Sequence, residues 1–148
     1  MKKACLLIIL FLSFGLFCSC GRSYDAHEIL TEFRDAYGAE GIIYSPTVAE
    51  GEEGYLDADL GEKMFAHSSD LPRDYAVMLN SHPDTPSECG VFICTDDGEL
   101  RAAEAAALER IDLLGGDRGF VLRQGRVVFY SVMSDSDRAR KIFKEIMR

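Results

Sequence analysis

Positive charge is what this 148-residue chain has least of: 16 lysines and arginines stand against 25 aspartates and glutamates, a net charge of −9. A phosphate backbone is held by basic side chains, so the deficit argues against a nucleic-acid partner. Cysteines able to cross-link the chain are equally scarce. Beyond the first twenty residues only Cys89 and Cys94 remain. On an extended strand they would stand ~16 Å apart on opposite faces, past the ~7 Å limit for a disulfide. The folded part must therefore hold itself by packing, and both thiols read as small buried hydrophobes. No basic cluster lies beside either one to lower its pKa.

Metal-ligand and catalytic spacings are missing too. His27, His67 and His82 have no partner one helical turn away, and the cysteines lack CxxC spacing. Counted from Asp57, a calcium loop needs glycine sixth and glutamate twelfth, but Glu62 and Ser68 occupy those places. Glu50 to Asp59 reads as a solvated acidic loop, with a weak cation site as the alternative. There is no Gly-x-Ser-x-Gly elbow and no Ser-x-x-Lys element. Gly115-Gly116-Asp117-Arg118-Gly119 follows a helical pattern and precedes a strand, the reverse of a phosphate-binding loop. The expectation is no cofactor, no metal and no catalytic residue.

What is present is concentrated at the start. Lys2 and Lys3 precede an apolar run from Ala4 to Phe17, which is followed by Cys18, Ser19, Cys20 and Gly21. The run is shorter than the ~17–25 residues a spanning helix needs, and with its basic head it reads as a secretory signal. It resembles a bacterial lipoprotein signal, which implies lipidation at Cys20 after removal of residues 1–19. Cleavage without lipidation and an uncleaved anchor are the competing readings. Residues 20–24 form a short tether and residues 25–148 a single domain. That domain is lopsided in charge: residues 22–99 hold 4 basic and 18 acidic side chains, residues 100–148 hold 10 and 7. A dipolar domain of this kind can orient near a charged surface.

The apolar spacing predicts a helix from Asp25 through Ile29, Leu30 and Phe33 to a stop at Gly38. Ile42–Tyr44 is too brief to classify, and Leu56, Leu60, Met64 and Phe65 suit one or two helical turns. Strands are predicted over Asp74–Leu79, Glu88–Thr95, Phe120–Arg123 and Arg126–Met133, the last two joined at Gln124-Gly125. A helix with Leu100, Ala103, Ala107, Leu108, Ile111 and Leu114 on one stripe separates the two pairs. A last helix from Ser134 buries Ala139, Ile142, Phe143 and Ile146. From residue 74 the order is β-β-α-β-β-α, which predicts an α+β, two-layer domain with a mainly antiparallel sheet and an N-terminal helix alongside.

Glu88-Cys89-Gly90-Val91-Phe92-Ile93 before the long helix, and Gly125-Arg126-Val127-Val128-Phe129-Tyr130 before Ser134-Asp135, resemble the strand patterns of a family of small clostridial-type lipoproteins carrying a domain of unknown function. The resemblance spans Ala26 to Met147 and implies a fold, but no activity or catalytic residue. Function is therefore expected to be binding: a lipid-anchored module on the extracytoplasmic face of the cell membrane, taking an envelope protein, a peptide or a cell-wall component. The basic residues Arg140, Lys144 and Arg148, four apart on the last helix, are the candidate surface-binding edge. The alternatives are a tethered hydrolase or thiol enzyme using Cys89 or Cys94 with a histidine, and a cation-binding lipoprotein.

Overall fold

The computed structural model describes residues 24–66, 68–80 and 87–148. The signal sequence, Cys20, His67 and His82 lie outside the described residues. Helix α1 (Ala26–Tyr37) begins at a reciprocal cap in which Asp25 accepts from the Glu28 amide at 2.7 Å and Glu28 accepts from the Asp25 amide at 3.4 Å. Strand β1 (Gly41–Tyr44) follows. Helix α2 (Ala58–Met64), capped by Asp57, delivers Met64 and the next residue, Phe65, to the core. Then come β2 (Asp74–Asn80), β3 (Glu88–Ile93), α3 (Asp97–Leu113), β4 (Phe120–Gln124), β5 (Val127–Ser131) and α4 (Ser136–Ile146). The order expected from residue 74 is present, and Gly125, at φ 60°, closes the β4–β5 hairpin.

The five strands form one antiparallel sheet in the order β1-β2-β3-β5-β4. Its inner strands are apolar on both faces, with Tyr75 and Val77 turned one way and Ala76 and Met78 the other. An antiparallel sheet with one wet face alternates apolar and polar residues, so these unbroken runs require cover on both sides. Helices α1 and α4 supply it on one face, where Phe129 stacks on Phe143 with ring centroids 4.4 Å apart. Helix α3 and the Leu56–Leu71 segment supply it on the other. The fold class is α+β as expected, but the layers number three rather than two.

The two β-β-α units are not a structural repeat. A two-fold axis normal to the sheet would exchange antiparallel β3 and β5 while leaving both following helices on one face. Here α3 and α4 lie on opposite faces. Within α3 one residue of the expected buried stripe is displaced: Leu108 is 57% exposed, and Ala106 takes its place in the core.

Strand register gives the domain two ends. Asp74, Ile93, Val127 and Gln124 are neighbours at one of them. There the chain enters α1, whose Ala26 amide donates to Asp74 Oδ1 at 3.0 Å, and leaves α4, whose Met147 carbonyl accepts from Gln124 at 2.9 Å. We term this the entry end. Asn80, Glu88, Ser131 and Phe120 mark the far end, about 20 Å away for a strand the length of β2. The last turns of α1 and α3 and the first turn of α4 gather there.

Candidate functional site: a polar groove at the far end of the sheet

Strand β3 opens with a charged residue ahead of an apolar run. Glu88 is 3% exposed, and a buried carboxylate persists only when its charge and lone pairs are met. Arg110 of α3 meets it with a two-pronged contact, Nε to Oε1 at 2.8 Å and Nη2 to Oε2 at 2.7 Å. Tyr130 of β5 donates its hydroxyl to Oε1 at 2.5 Å. Burial pushes the Tyr130 phenol well above its ordinary pKa, and the hydrogen bonds that Arg110 donates to Glu88 raise the guanidinium above its own. Among the described residues no buried side-chain polar atom is left without a partner. The three residues therefore bolt β3, β5 and α3 together immediately behind the far end.

In front of that bolt the surface is concave. Two clefts share Ser87 and Ser134 as common lining. One, of about 270 Å³, continues along the α3–β4 connection past Gly116, Asp117 and Arg118 to Val132. The other, of about 370 Å³, runs along the end of α1 past Tyr37, Gly38 and Glu40 to Asn80 and Met133. Ser87 is fixed by a 2.8 Å bond from the Asn80 amide group, and the rim beside Ser134 is fixed by Ser136 donating to the Arg118 carbonyl at 2.8 Å. Tyr37 is engaged by stacked Phe33 at 5.6 Å and by the Arg138 guanidinium over its ring at 5.0 Å, so the ring is a wall and not an open platform. The groove offers hydroxyls, two carboxylates and a guanidinium: hydrogen-bonding and charge recognition of a polar ligand. Among the described residues no histidine and no cysteine lines either cleft.

The residues singled out in the sequence are dispersed. Cys89 lies under α1 and α4, Cys94 under α3, so the two free thiols are on opposite faces of the sheet. Burial pushes Cys89 far above the ordinary thiol range, and burial together with the Glu99 carboxylate pushes Cys94 up to about 11. Neither is poised as a nucleophile at neutral pH. Glu50, Glu52 and Glu53 are exposed, while Asp57 spends its carboxylate on the α2 cap, accepting from the Leu60 amide at 2.7 Å. Among the described residues no group of three or more histidine, cysteine, aspartate or glutamate side chains is arranged to hold a metal ion.

The three candidate basic residues are not equivalent: Arg140 and Lys144 are on α4 as expected, but Arg148 lies beyond its end at Ile146, past the Met147 cap. Lys144 and Arg148 are exposed toward the entry end, whereas Arg140 lies over the Phe120 ring with its guanidinium carbon 3.8 Å from the centroid. The groove and its bolt escaped the sequence reading because Glu88, Arg110 and Tyr130 are 22 and 42 residues apart. A signal was present in Gly90: glycine inside a central strand marks a place where something approaches closely. No helix among the described residues is long and apolar enough to cross a membrane. Compared with protein-family models, with curated proteins and with solved structures, the chain matches none.

Proposed function

We propose that this protein is a membrane-anchored envelope lipoprotein whose domain is a non-catalytic binding module, taking a polar partner (an envelope protein, a peptide or a cell-wall component) in the far-end groove. The anchor rests on the basic head, the short apolar run and the Ser19-Cys20-Gly21 junction. The binding reading rests on one observation: the concave polar surface around Ser87 and Ser134 is lined by hydroxyls, carboxylates and a guanidinium, groups that recognise a polar ligand. The bolt behind it keeps the strand ends that shape the groove from moving independently.

Two measurements test this. Mass spectrometry of the mature N-terminus should show an acylated Cys20, and Cys20→Ala should release the protein from the membrane fraction. A photo-crosslinking residue at Ser134 in intact cells should give a discrete adduct, and the same residue at exposed Glu62 should not. An unmodified N-terminus removes the anchor; identical adduct patterns at both positions remove the groove.

A further inference from the structure

The strand order turns the charge asymmetry of the sequence into a dipole in space. Strands β1, β2 and β3 come from the acidic stretch, β5 and β4 from the basic one, and the sheet order keeps the two sets apart. Helix α3 lies over β5 and β4, and α4 packs on β5 and α1 and meets β4 through Arg140 on the Phe120 ring and the Gln124–Met147 hydrogen bond. The basic half of the chain is thus gathered along the β4 edge and the acidic half along the β1 edge.

We propose that the β4-edge flank, formed by the outer face of α4 with Lys141, Lys144 and Arg148, is a docking surface for anionic lipid head groups that sets the orientation of the anchored domain. The inference rests on the lipid-anchor reading above and adds the face that meets the bilayer. Two observations select lipid as the occupant. The first is where the chain comes from. Tyr24 packs against the same core as Ile146 and Met147, at the entry end. Only Gly21, Arg22 and Ser23 separate it from Cys20, and those four Cα steps span at most about 14 Å. A lipid on Cys20 therefore holds the end of α4 against the membrane surface.

The second is charge complementarity. Lys141 and Lys144 on α4, and Arg148 just beyond its end, are exposed and make no ion pair among the described residues. Three other cations of the basic half are occupied: Arg126 by Asp97 at 2.7 Å, Arg123 by Glu104 at 3.9 Å and Arg140 by the Phe120 ring. Acidic residues on the same helix, Asp137 and Glu145, are outnumbered. The acidic β1 side is repelled by the same surface, so attraction and repulsion turn the domain the same way. The far-end groove takes no part in this contact and stays open to a partner.

The test uses the full-length lipidated protein in vesicles carrying head-group nitroxide quenchers. One fluorophore is placed at Glu145→Cys on α4 and, in a second sample, at Glu52→Cys on the acidic side; each substitution removes one negative charge, and buried Cys89 and Cys94 do not compete for label. In phosphatidylglycerol-containing vesicles quenching at position 145 should exceed that at position 52 about threefold. The ratio should fall toward one in pure phosphatidylcholine, in molar salt, and in a Lys141→Gln/Lys144→Gln/Arg148→Gln variant with an unchanged melting temperature. Equal quenching of vesicle-bound protein on anionic lipid overturns the docking face alone. Protein that fails to join vesicles of either composition overturns the anchor and this inference with it.

Discussion

Tyr130 occupies the space that a side chain on Gly90 would fill. The two residues are cross-strand partners of β5 and β3, and a Cβ at position 90 would come within 2.3 Å of Tyr130 Cε1. The ring, 6.1 Å from Phe92 in a stacked arrangement, thereby lies in line to carry its hydroxyl to Glu88.

Gly90→Ala should therefore act through Tyr130. The ring has to swing away from strand β3, which costs packing and breaks the bond to Glu88, together about 2–4 kcal/mol. Tyr130→Phe keeps the ring and removes only the hydroxyl, at about 1–2 kcal/mol. Urea unfolding of the two single variants and the double variant checks this. In Gly90→Ala/Tyr130→Phe the losses should be less than additive, because the alanine has already broken the same hydrogen bond; strict additivity would separate the two residues.

Arg110 and Glu88 make a harsher pair. Arg110→Ala leaves a carboxylate that is 3% exposed facing only a phenol, and an unpaired buried charge costs about 3–5 kcal/mol. Replacing both with apolar groups of similar size, as in Glu88→Leu/Arg110→Met, in a Tyr130→Phe background so that no buried hydroxyl loses its acceptor, removes the desolvation burden along with the attraction and should recover most of that loss. Denaturant midpoints order the variants. A combined variant as unstable as Arg110→Ala alone would show that geometry, not charge, is what the pair supplies.

The extent to which sequence foretold this follows from what periodicity encodes. Helix α1 was legible because Asp25, Glu28 and Gly38 mark its ends and Ile29, Leu30 and Phe33 its buried face. The hairpin at Gly125 was legible from its turn chemistry. Strand β1 was not, since four residues of Gly-Ile-Ile-Tyr carry no period to count. The third layer was written in the unbroken apolar runs of β2 and β3, which the expectation of one covered face passed over. At Asp96 the reciprocal cap that Asp25 and Glu28 form on α1 is shifted by one residue: Asp96 accepts from the Gly98 and Glu99 amides, while Glu99 reaches the Thr95 amide at 2.6 Å. Local sequence specifies which groups want partners, and tertiary placement decides which partner is met. The groove belongs wholly to that second category.

Cys94 and Cys89 should resist thiol reagents in the native protein. Both are buried, and with Cys94 raised to about 11 its thiolate is a small fraction at neutral pH. Labelling at pH 7.5 should be slow without denaturant and complete within seconds in 6 M guanidinium, a ratio of roughly a thousandfold or more. These raised values also set an alkaline limit. A thiol or phenol that holds its proton more tightly when folded contributes stability below its unfolded pKa, and that stability is lost as pH rises through the folded value. Melting temperature should decline from about pH 9 upward, as unfolded thiols begin to ionise. Rapid native labelling of one cysteine would point to a reactive thiol.

Acid titration separates two aspartates whose environments act in opposite senses. The amides of Glu99 and Gly98 hold the Asp96 carboxyl below its ordinary pKa, so its contribution is present above the unfolded value and vanishes as pH falls through the lowered folded one. Burial raises Asp74 despite the Ala26 amide, so the native state favours its protonated form and loses stability as pH rises through that window. Relative to wild type, Asp96→Asn should become progressively worse as pH climbs from about 2 to 5 and then level off, while Asp74→Asn should become progressively better over the range just above pH 4. Urea midpoints for the three proteins across pH 2–7 decide the matter. Two difference curves of the same slope would mean that the α3 cap and the α1–β2 contact do not shift these carboxyls as the geometry requires.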